Sequence, residues 1–199
     1  MHARASPYKL HGMPRLRKLK PADFHRNAEE LAEFLIGTVL IRRTENEIRR
    51  VRIVETEAYV GPEDLASHTS RGHTPRTATM FGPPGRAYVY FVYGMHHMLN
   101  IVAGPAGSGQ AVLVRAAEPL DGWSADLSGP GKLARALQIT RAHNGLSITG
   151  PELSLWLDPT SKPQITRTKR IGIDYAQHWK EAMLRFVDAG SEAVSKTRS

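Results

Sequence analysis

The spacing of apolar residues along the chain predicts one helix followed by several β-strands. The helix opens at Pro21-Ala22-Asp23 and ends at Gly37, and its apolar stripe consists of Leu31, Phe34 and Leu35. Strands are predicted over residues 38–43, 49–58 and 110–116 and from Ala87 onward. Because helices do not alternate regularly with these strands, the pattern indicates an α+β fold, a single domain with a mostly antiparallel, curved sheet surrounded by helices.

One strand, from Ile53 to Tyr59, alternates so strictly that its two faces differ in chemistry. The alternation divides its side chains into two sets, Val54, Thr56 and Ala58 on one face and Glu55, Glu57 and Tyr59 on the other. Neighbouring carboxylates on a rigid strand suit general-base chemistry, since burial or a nearby charge can tune whichever one meets substrate. An edge strand with a solvated acidic face is the other interpretation. The alternation does not show which of Glu55 and Glu57 would act as the general base.

A second strand carries aromatic residues on both faces. It follows the turn Gly82-Pro83-Pro84-Gly85. Alternation places Tyr88, Tyr90 and Val92 on one face and Val89, Phe91 and Tyr93 on the other. Tyrosines in such a strand most often pack in a core with the hydroxyl bonded to a partner. They also suit the stacking of a flat heteroaromatic ligand, and the pattern leaves both interpretations open.

Length, charge and the lack of cysteine narrow the classes of function. A chain of 199 residues is expected to form one domain, whose core buries roughly 70% of the unfolded surface. The 27 Lys and Arg residues exceed the 19 Asp and Glu residues, which gives a net charge of +8 and favours phosphate backbones or acidic membranes as partners. The absence of cysteine excludes disulfides, thiolate metal sites and cysteine nucleophiles.

Polar composition at both ends predicts three segments. We expect a basic, flexible segment at residues 1–20, a main domain at residues 21–189 and a flexible tail at residues 190–199. The first twenty residues lack the apolar run of a signal peptide, and no stretch approaches the ~20 apolar residues of a membrane span. The sequence therefore predicts a cytoplasmic protein without membrane contact.

Ordered motifs across most of the chain are shared with one known family. They are residues 53–68, Thr74-Pro75-Arg76 with Met80-Phe81, Pro84-Gly85, Tyr88-Val89-Tyr90 with Tyr93-Gly94-Met95, Asn100, residues 112–120, residues 129–137, and Trp179 with Leu184-Arg185-Phe186. In order and spacing they resemble the alkyladenine (3-methyladenine) DNA glycosylase family over roughly residues 20–187. The resemblance implies a monofunctional repair enzyme that flips alkylated or deaminated purines out of duplex DNA. It would release hypoxanthine, ethenoadenine, 3-methyladenine or 7-methylguanine by hydrolysis and leave an abasic site.

The resemblance also assigns residues to the flipped nucleotide. Tyr59, His68 and Tyr90 match the positions that hold the base, with His68 presented by a short helix that starts near Pro62. Two aromatic faces would favour a cationic, alkylated purine through cation–π attraction. Asn100 matches a pocket-floor residue that screens exocyclic groups. Tyr93 matches the wedge that fills the gap in the stack.

The same resemblance assigns catalysis to one carboxylate and its neighbours. Glu57 matches the general base that activates water, and Arg115 matches a residue that orients this water and a nearby phosphate. Gly131 and Lys132 would open a helix that binds phosphate. The resemblance implies no cofactor and no metal. The expected partner is double-stranded DNA with damaged purines, bound by a monomer that works at the nucleoid.

Several alternatives stay open from the residues alone. The chain would be a non-catalytic nucleic-acid-binding module if its aromatics only stack on single strands, or a transferase or RNA-binding domain on a related sheet. His96 and His97 suggest a metal site, but adjacent strand residues point to opposite faces, which disfavours shared ligation. With Met98, these two histidines leave the breadth of accepted bases undecided.

Overall fold

The computed structural model describes residues 16–92 and 94–195. In these ranges the strands are β1 (Arg17–Lys18), β2 (Val39–Arg43), β3 (Ile48–Tyr59), β4 (Ala87–Val92), β5 (His96–Ala103), β6 (Gln110–Pro119), β7 (Leu153–Leu157), β8 (Ile165–Thr168) and β9 (Arg185–Asp188). The α-helices are α1 (Ala28–Leu35) and α2 (Pro130–Ala136). Short 3-10 helices lie at Pro21–Phe24, His68–Arg71, Ala78–Phe81, Arg141–His143 and Gln177–Glu181.

The nine strands form one antiparallel sheet in the order β1-β7-β2-β3-β6-β5-β4, and β9 pairs with both β3 and β8. The longest strand, β3, has β6 along one edge. Its other edge is shared, with β2 opposite residues 48–52 and β9 opposite residues 55–57. The predicted α+β fold with a mostly antiparallel sheet is confirmed.

The helix predicted from Pro21 to Gly37 is shorter than expected. Pro21–Phe24 form a separate 3-10 turn, and α1 begins after Asn27, whose side chain accepts a hydrogen bond from the Glu30 amide at 2.9 Å. In return, the Asn27 backbone amide donates a hydrogen bond to the Glu30 carboxylate at 3.2 Å. This reciprocal cap requires an extended backbone at Asn27, so the helix cannot continue through it. The prediction of one unbroken helix was therefore wrong.

The face prediction for β3 was wrong at Val54. Val51, Ile53 and Ala58 belong to the same core cluster, although regular alternation would put Ile53 and Ala58 on opposite faces. The register with β6 shifts on both sides of Glu55, which marks a β-bulge. The extra residue reverses the alternation, so Ile53 takes the core side that had been assigned to Val54. Beyond the bulge, Thr56 faces α1, since its hydroxyl donates to the carbonyl of Ala32 at 2.9 Å.

One large hydrophobic core and two small clusters hold the sheet in place. The large core contains the apolar faces of α1 and α2 and the strands beneath them. The first small cluster joins Met80, Tyr88, Val102 and Ala111, with Tyr90 packed against it. The second joins Ala66, Ile173 and Ala176, with Tyr59 and Trp179 packed against it. Two of the predicted ligand-binding aromatics, Tyr90 and Tyr59, therefore rest on separate apolar supports.

The two predicted flexible ends are described only in part. Residues 1–15 and 196–199 lie outside the described residues. Within the described part, Arg17–Lys18 pair with β7 and Leu19 is buried. At the other end, the backbone amide of Ser195 donates to the Glu55 carboxylate at 2.5 Å. These contacts tie residues 17–19 and 195 to the domain.

Candidate active site

A cavity of about 290 Å³ opens between the two small clusters. Its lining comes from the end of β3, from β4, β5 and β6, from the loop that carries His68, and from residues 171–175. Ligand pockets usually measure roughly 300–1,000 Å³, so this space suits a single small, flat ligand. Tyr59, His68, Tyr90, Asn100 and Arg115 all line it. The structure thus brings five of the predicted site residues to one cavity.

One wall is a stack of rings around His68. The His68 and Tyr90 rings lie edge to face with centroids 4.4 Å apart, and Tyr88 and Tyr90 are 5.5 Å apart. The His68 Nδ1 atom lies 2.9 Å from the Tyr88 hydroxyl, and an Arg76 guanidinium nitrogen lies 3.3 Å from Nε2. Because a guanidinium can only donate, Nε2 accepts and the ring proton resides on Nδ1. The imidazole is held neutral in one tautomer.

The neutral state of His68 agrees with its surroundings. Burial, with additional repulsion from Arg76 and Arg71, lowers the pKa of His68 to about 4. Burial also raises the pKa of Tyr59 and of Tyr90 well above that of a free phenol. The three side chains that match the base-holding positions therefore carry no charge near neutral pH. A cationic ligand between them would meet no charge repulsion from these three side chains.

Lowering the pH should destabilise the protein through His68. The unfolded imidazole takes up a proton near pH 6.5, whereas the folded one stays neutral down to about pH 4, so protonation favours the unfolded state. The stabilisation is fully present above pH 6.5 and is lost as the pH falls towards about 4. Urea unfolding across this window should show a shallower pH slope for His68→Gln than for the parent. His25→Gln, at an exposed position, is the matched control, and an unchanged slope in the His68 variant would contradict the assignment.

Glu57 lies directly behind the cavity wall. Its carboxylate accepts hydrogen bonds from the Tyr59 hydroxyl at 2.9 Å, the Arg115 Nη1 atom at 3.3 Å and the Ile171 amide at 2.8 Å. The side chain is fully buried, at 0% exposure, and is not part of the lining. All three of its donors belong to residues that do line the cavity. Glu57 is thus one hydrogen bond removed from the space that a ligand would occupy.

Arg115 lies between the two carboxylates of β3. Its Nε atom donates to Glu55 at 3.1 Å, and Nη1 donates to Glu57. Glu55 also accepts from Arg185 at 2.6 Å and from the Ser195 amide. Burial works against the charge on Arg115, but Glu57 and Glu55 outweigh it and raise its pKa. Two carboxylates and two guanidinium groups thus form a buried cluster with no net charge, and only Arg115 of these four lines the cavity.

Asn100 forms part of the floor of the cavity. It is buried on β5, where its backbone pairs with Tyr88 on one side and Leu113 on the other. The side-chain nitrogen donates to the Tyr88 carbonyl at 3.2 Å. A buried amide that is bonded to the sheet has little freedom to turn towards a ligand. Its position suits steric screening of a base edge.

Gly131 and Lys132 are not in the cavity lining. Lys132 is paired with Asp126 at 2.7 Å and Ser128 at 3.2 Å. Gly131 packs so closely that an added Cβ would lie 3.0 Å from the His96 ring, which explains glycine at this position. Pro130, the residue before it, does line the cavity. Tyr93 lies outside the described residues.

Sequence reasoning missed three contributors to the site. Tyr88 is hydrogen-bonded to His68 Nδ1, and Arg76 is hydrogen-bonded to Nε2 of the same ring. Residues 171–173 form one wall of the cavity, and the Ile171 amide donates a hydrogen bond to Glu57. Tyr88 shares a face with Tyr90, so alternation offered a signal for it. A backbone amide from a segment 114 positions away from Glu57 has no side-chain signature in the sequence.

Two negative findings apply to the part of the chain that the structure describes. No three His, Asp or Glu side chains there converge into a group that could hold a metal ion. His96 packs against Gly131, whereas the His97 ring lies 4.9 Å from that of Phe91. None of the described helices has the length and apolar character needed to cross a membrane.

Comparisons with known proteins agree with this arrangement. The family model of methylpurine-DNA glycosylases matches residues 22–192. The chain belongs to the methylpurine-DNA glycosylase family. A relative from Anaeromyxobacter dehalogenans (strain 2CP-C), named "Putative 3-methyladenine DNA glycosylase", is 46% identical over 90% of this chain and 87% of its own length. Two further relatives carry the same name. The one from Myxococcus xanthus (strain DK1622) is 46% identical over 88% of this chain and 93% of its own length. The one from Legionella pneumophila (strain Lens) is 39% identical over 92% of this chain and 100% of its own length.

Membership in the methylpurine-DNA glycosylase family confirms the resemblance inferred from the sequence motifs. It identifies the chain as a DNA glycosylase that acts on alkylated bases and as a DNA repair protein. Repair of a base in a duplex requires access to an atom inside the stack. The cavity lined by Tyr59 and Tyr90 is one place in the described structure with room for a flat ring.

Proposed function

We propose that this glycosylase extrudes alkylated or deaminated purines from duplex DNA into the cavity between Tyr59 and Tyr90 and hydrolyses the N-glycosidic bond with water. The observation that carries the proposal is the adjacency of a cavity walled by the neutral rings of Tyr59, His68 and Tyr90 and the buried Glu57–Arg115 pair. Such a cavity can hold a flat base, and such a carboxylate can take a proton from water. No lysine faces the cavity among the described residues that line it, so the proposed product is an intact abasic site.

Water must reach Glu57 for this chemistry, and because the side chain is fully buried, one of the groups that enclose it has to move. The bond from Arg115 is the longest, at 3.3 Å, and Arg115 retains Glu55 as a partner. Hydrogen bonds weaken as they lengthen past the usual 2.7–3.2 Å range, so Arg115 is the donor most easily displaced. In the proposed mechanism Arg115 shifts towards a phosphate of the bound nucleotide, and a water takes its place on the carboxylate. Active-site contacts often reach their reactive geometry only in the complex.

Base selection in this proposal depends on the walls and the floor of the cavity. Neutral rings at Tyr59, His68 and Tyr90 attract an electron-poor or cationic purine more strongly than a normal one. Asn100, fixed to the sheet by its bond to Tyr88, would collide with or fail to satisfy the 2-amino group of guanine. The preferred substrates are therefore 3-methyladenine, ethenoadenine and hypoxanthine, with 7-methylguanine accepted through its positive charge.

A panel of lesion duplexes tests the proposed function. Duplexes that carry hypoxanthine, ethenoadenine, 3-methyladenine or 7-methylguanine are incubated with the protein, and free base and abasic sites are quantified. We expect release of free base and, in the absence of alkali, an unbroken strand. An undamaged duplex of the same sequence is the control.

The same panel separates an enzyme from a binding module. A protein that binds these duplexes without releasing any base would contradict the proposed function and support a non-catalytic role. Strand cleavage that accompanies base release, with a covalent intermediate trapped by borohydride, would overturn the proposed use of water. Affinity at one salt concentration would not discriminate, because a net charge of +8 supports DNA binding in either case.

A further inference from the structure

Asp64 and Arg170 form a fully buried ion pair beside the cavity. Two parallel hydrogen bonds, at 2.5 and 2.9 Å, join the guanidinium to the carboxylate. Both side chains have 0% exposure. Neither residue is part of the cavity lining, and neither has a role in the proposed reaction.

Stability alone is a poor reason for such a pair. Removing two charges from water costs several kcal/mol per ion, and well-packed apolar residues of similar volume are often as stabilising. Arg170 adds to this cost, since its Nε atom is buried without a hydrogen-bond partner among the described residues. A buried ion pair kept at such a cost indicates that it fixes the position of something else.

The pair connects three segments that form the cavity. The Asp64 carboxylate also accepts from the amides of Val60 and Ala66, at 3.3 and 3.0 Å, which shapes the loop leading to His68. Arg170 donates to the carbonyl of Ala58 at 2.9 Å, at the end of β3. Its guanidinium also lies 4.9 Å from the centre of the Tyr59 ring. The end of β3, the His68 loop and the segment around residue 170 are thereby held in one arrangement.

Ile171, the residue after Arg170, connects these segments to the Glu57 carboxylate. The Ile171 amide donates to Glu57 Oε1 at 2.8 Å, and the Tyr59 hydroxyl donates to Oε2 at 2.9 Å. Both donors are adjacent in the chain to groups that Arg170 holds, namely its own backbone and Ala58. A displacement of Arg170 would therefore move both donors relative to Glu57.

We propose that Arg170 and Asp64 are positioning residues, which hold the Ile171 amide and the Tyr59 hydroxyl against Glu57 and so orient this carboxylate. The inference rests on the proposed function, because it concerns Glu57 as the general base. Neither residue touches the substrate. Their effect is on the rate of the hydrolytic step, through the geometry of Glu57, rather than on the capture of the lesion.

Two variants and one control test the proposal. Arg170→Lys keeps a positive charge beside Asp64. It cannot reproduce both the bidentate hydrogen bond to Asp64 and the hydrogen bond to the Ala58 carbonyl. Arg170→Met combined with Asp64→Leu replaces the pair by apolar groups and leaves no buried charge. Arg167→Lys is the control, because Arg167 lies on β8 and pairs with the half-exposed residues Glu29 and Glu33, none of which lines the cavity.

The first readout does not depend on activity. Amide hydrogen exchange of Ile171, followed by NMR, should accelerate in both variants while a central amide such as that of Val114 keeps the parent rate. The second readout is single-turnover release of hypoxanthine, with lesion affinity measured separately. We expect the rate to fall about 10- to 100-fold, as for small misplacements of catalytic groups, while lesion affinity changes far less.

Parent-like exchange at Ile171 together with a parent-like rate of base release in a folded variant would overturn the proposal. Loss of the folded state in both variants would overturn it as well, since the pair would then serve the stability of the whole domain. A parent protein that releases no base would refute the proposed function instead. The exchange rate of Ile171 would still show in that case whether Arg170 positions the amide.

Discussion

Glu57→Gln should reduce base release by about 10²- to 10⁴-fold, the usual contribution of a general base. The amide has nearly the size and shape of the carboxylate, but it cannot take a proton from water. Three donors converge on Glu57 from lining residues, so the amide oxygen can keep at least one of these bonds. Single-turnover release of hypoxanthine and 3-methyladenine from duplex DNA measures the effect. Binding of the lesion duplex, measured separately, should be retained.

The control for this variant is Glu118→Gln. Glu118 also lies on the sheet, on β6, but it faces Arg52 at 3.9 Å and is not part of the cavity lining. It should release base at the parent rate. Release by Glu57→Gln at the rate of the parent would eliminate Glu57 as the base, and the proposed mechanism with it.

The sequence predicted the strands around the site better than the site itself. Alternation correctly indicated a strand through Glu57 and Tyr59, and the structure places the Tyr59 hydroxyl 2.9 Å from that carboxylate. Alternation failed at Val54 because a bulge is set by pairing with β6, which lies some sixty residues further along the chain. Local patterns report local geometry, and they carry no information on where a distant partner strand shifts its register.

Local sequence patterns also could not predict which residues enclose Glu57. One interpretation of the alternation placed the carboxylate on a solvated face, yet Ile171, Arg115 and Tyr59 enclose it. Ile171 reaches it because β8 and β9 return to the end of β3 and bring the intervening segment over the carboxylate. The family resemblance distinguished Glu57 from Glu55, whereas only the tertiary structure shows that Glu57 is enclosed.

The second large expected effect is a loss of stability, which follows from the charge balance of the buried cluster. Arg115→Leu should destabilise the fold by about 3–5 kcal/mol, because it leaves Glu55 and Glu57 buried with a single guanidinium, that of Arg185. Urea unfolding at neutral pH measures the loss. Base release should also fall, since Arg115 is the cluster member that lines the cavity.

The sign of a second substitution tests whether net charge is the cause. In the parent, Glu55→Gln leaves the cluster with an excess positive charge and should destabilise it. In the Arg115→Leu background the same change restores neutrality, so it should stabilise the protein instead, while the amide oxygen still accepts from Arg185 or from the Ser195 amide. A double-mutant cycle built from the four unfolding curves gives the coupling directly. An equal cost of Glu55→Gln in both backgrounds would show that the four groups do not act as one electrostatic unit.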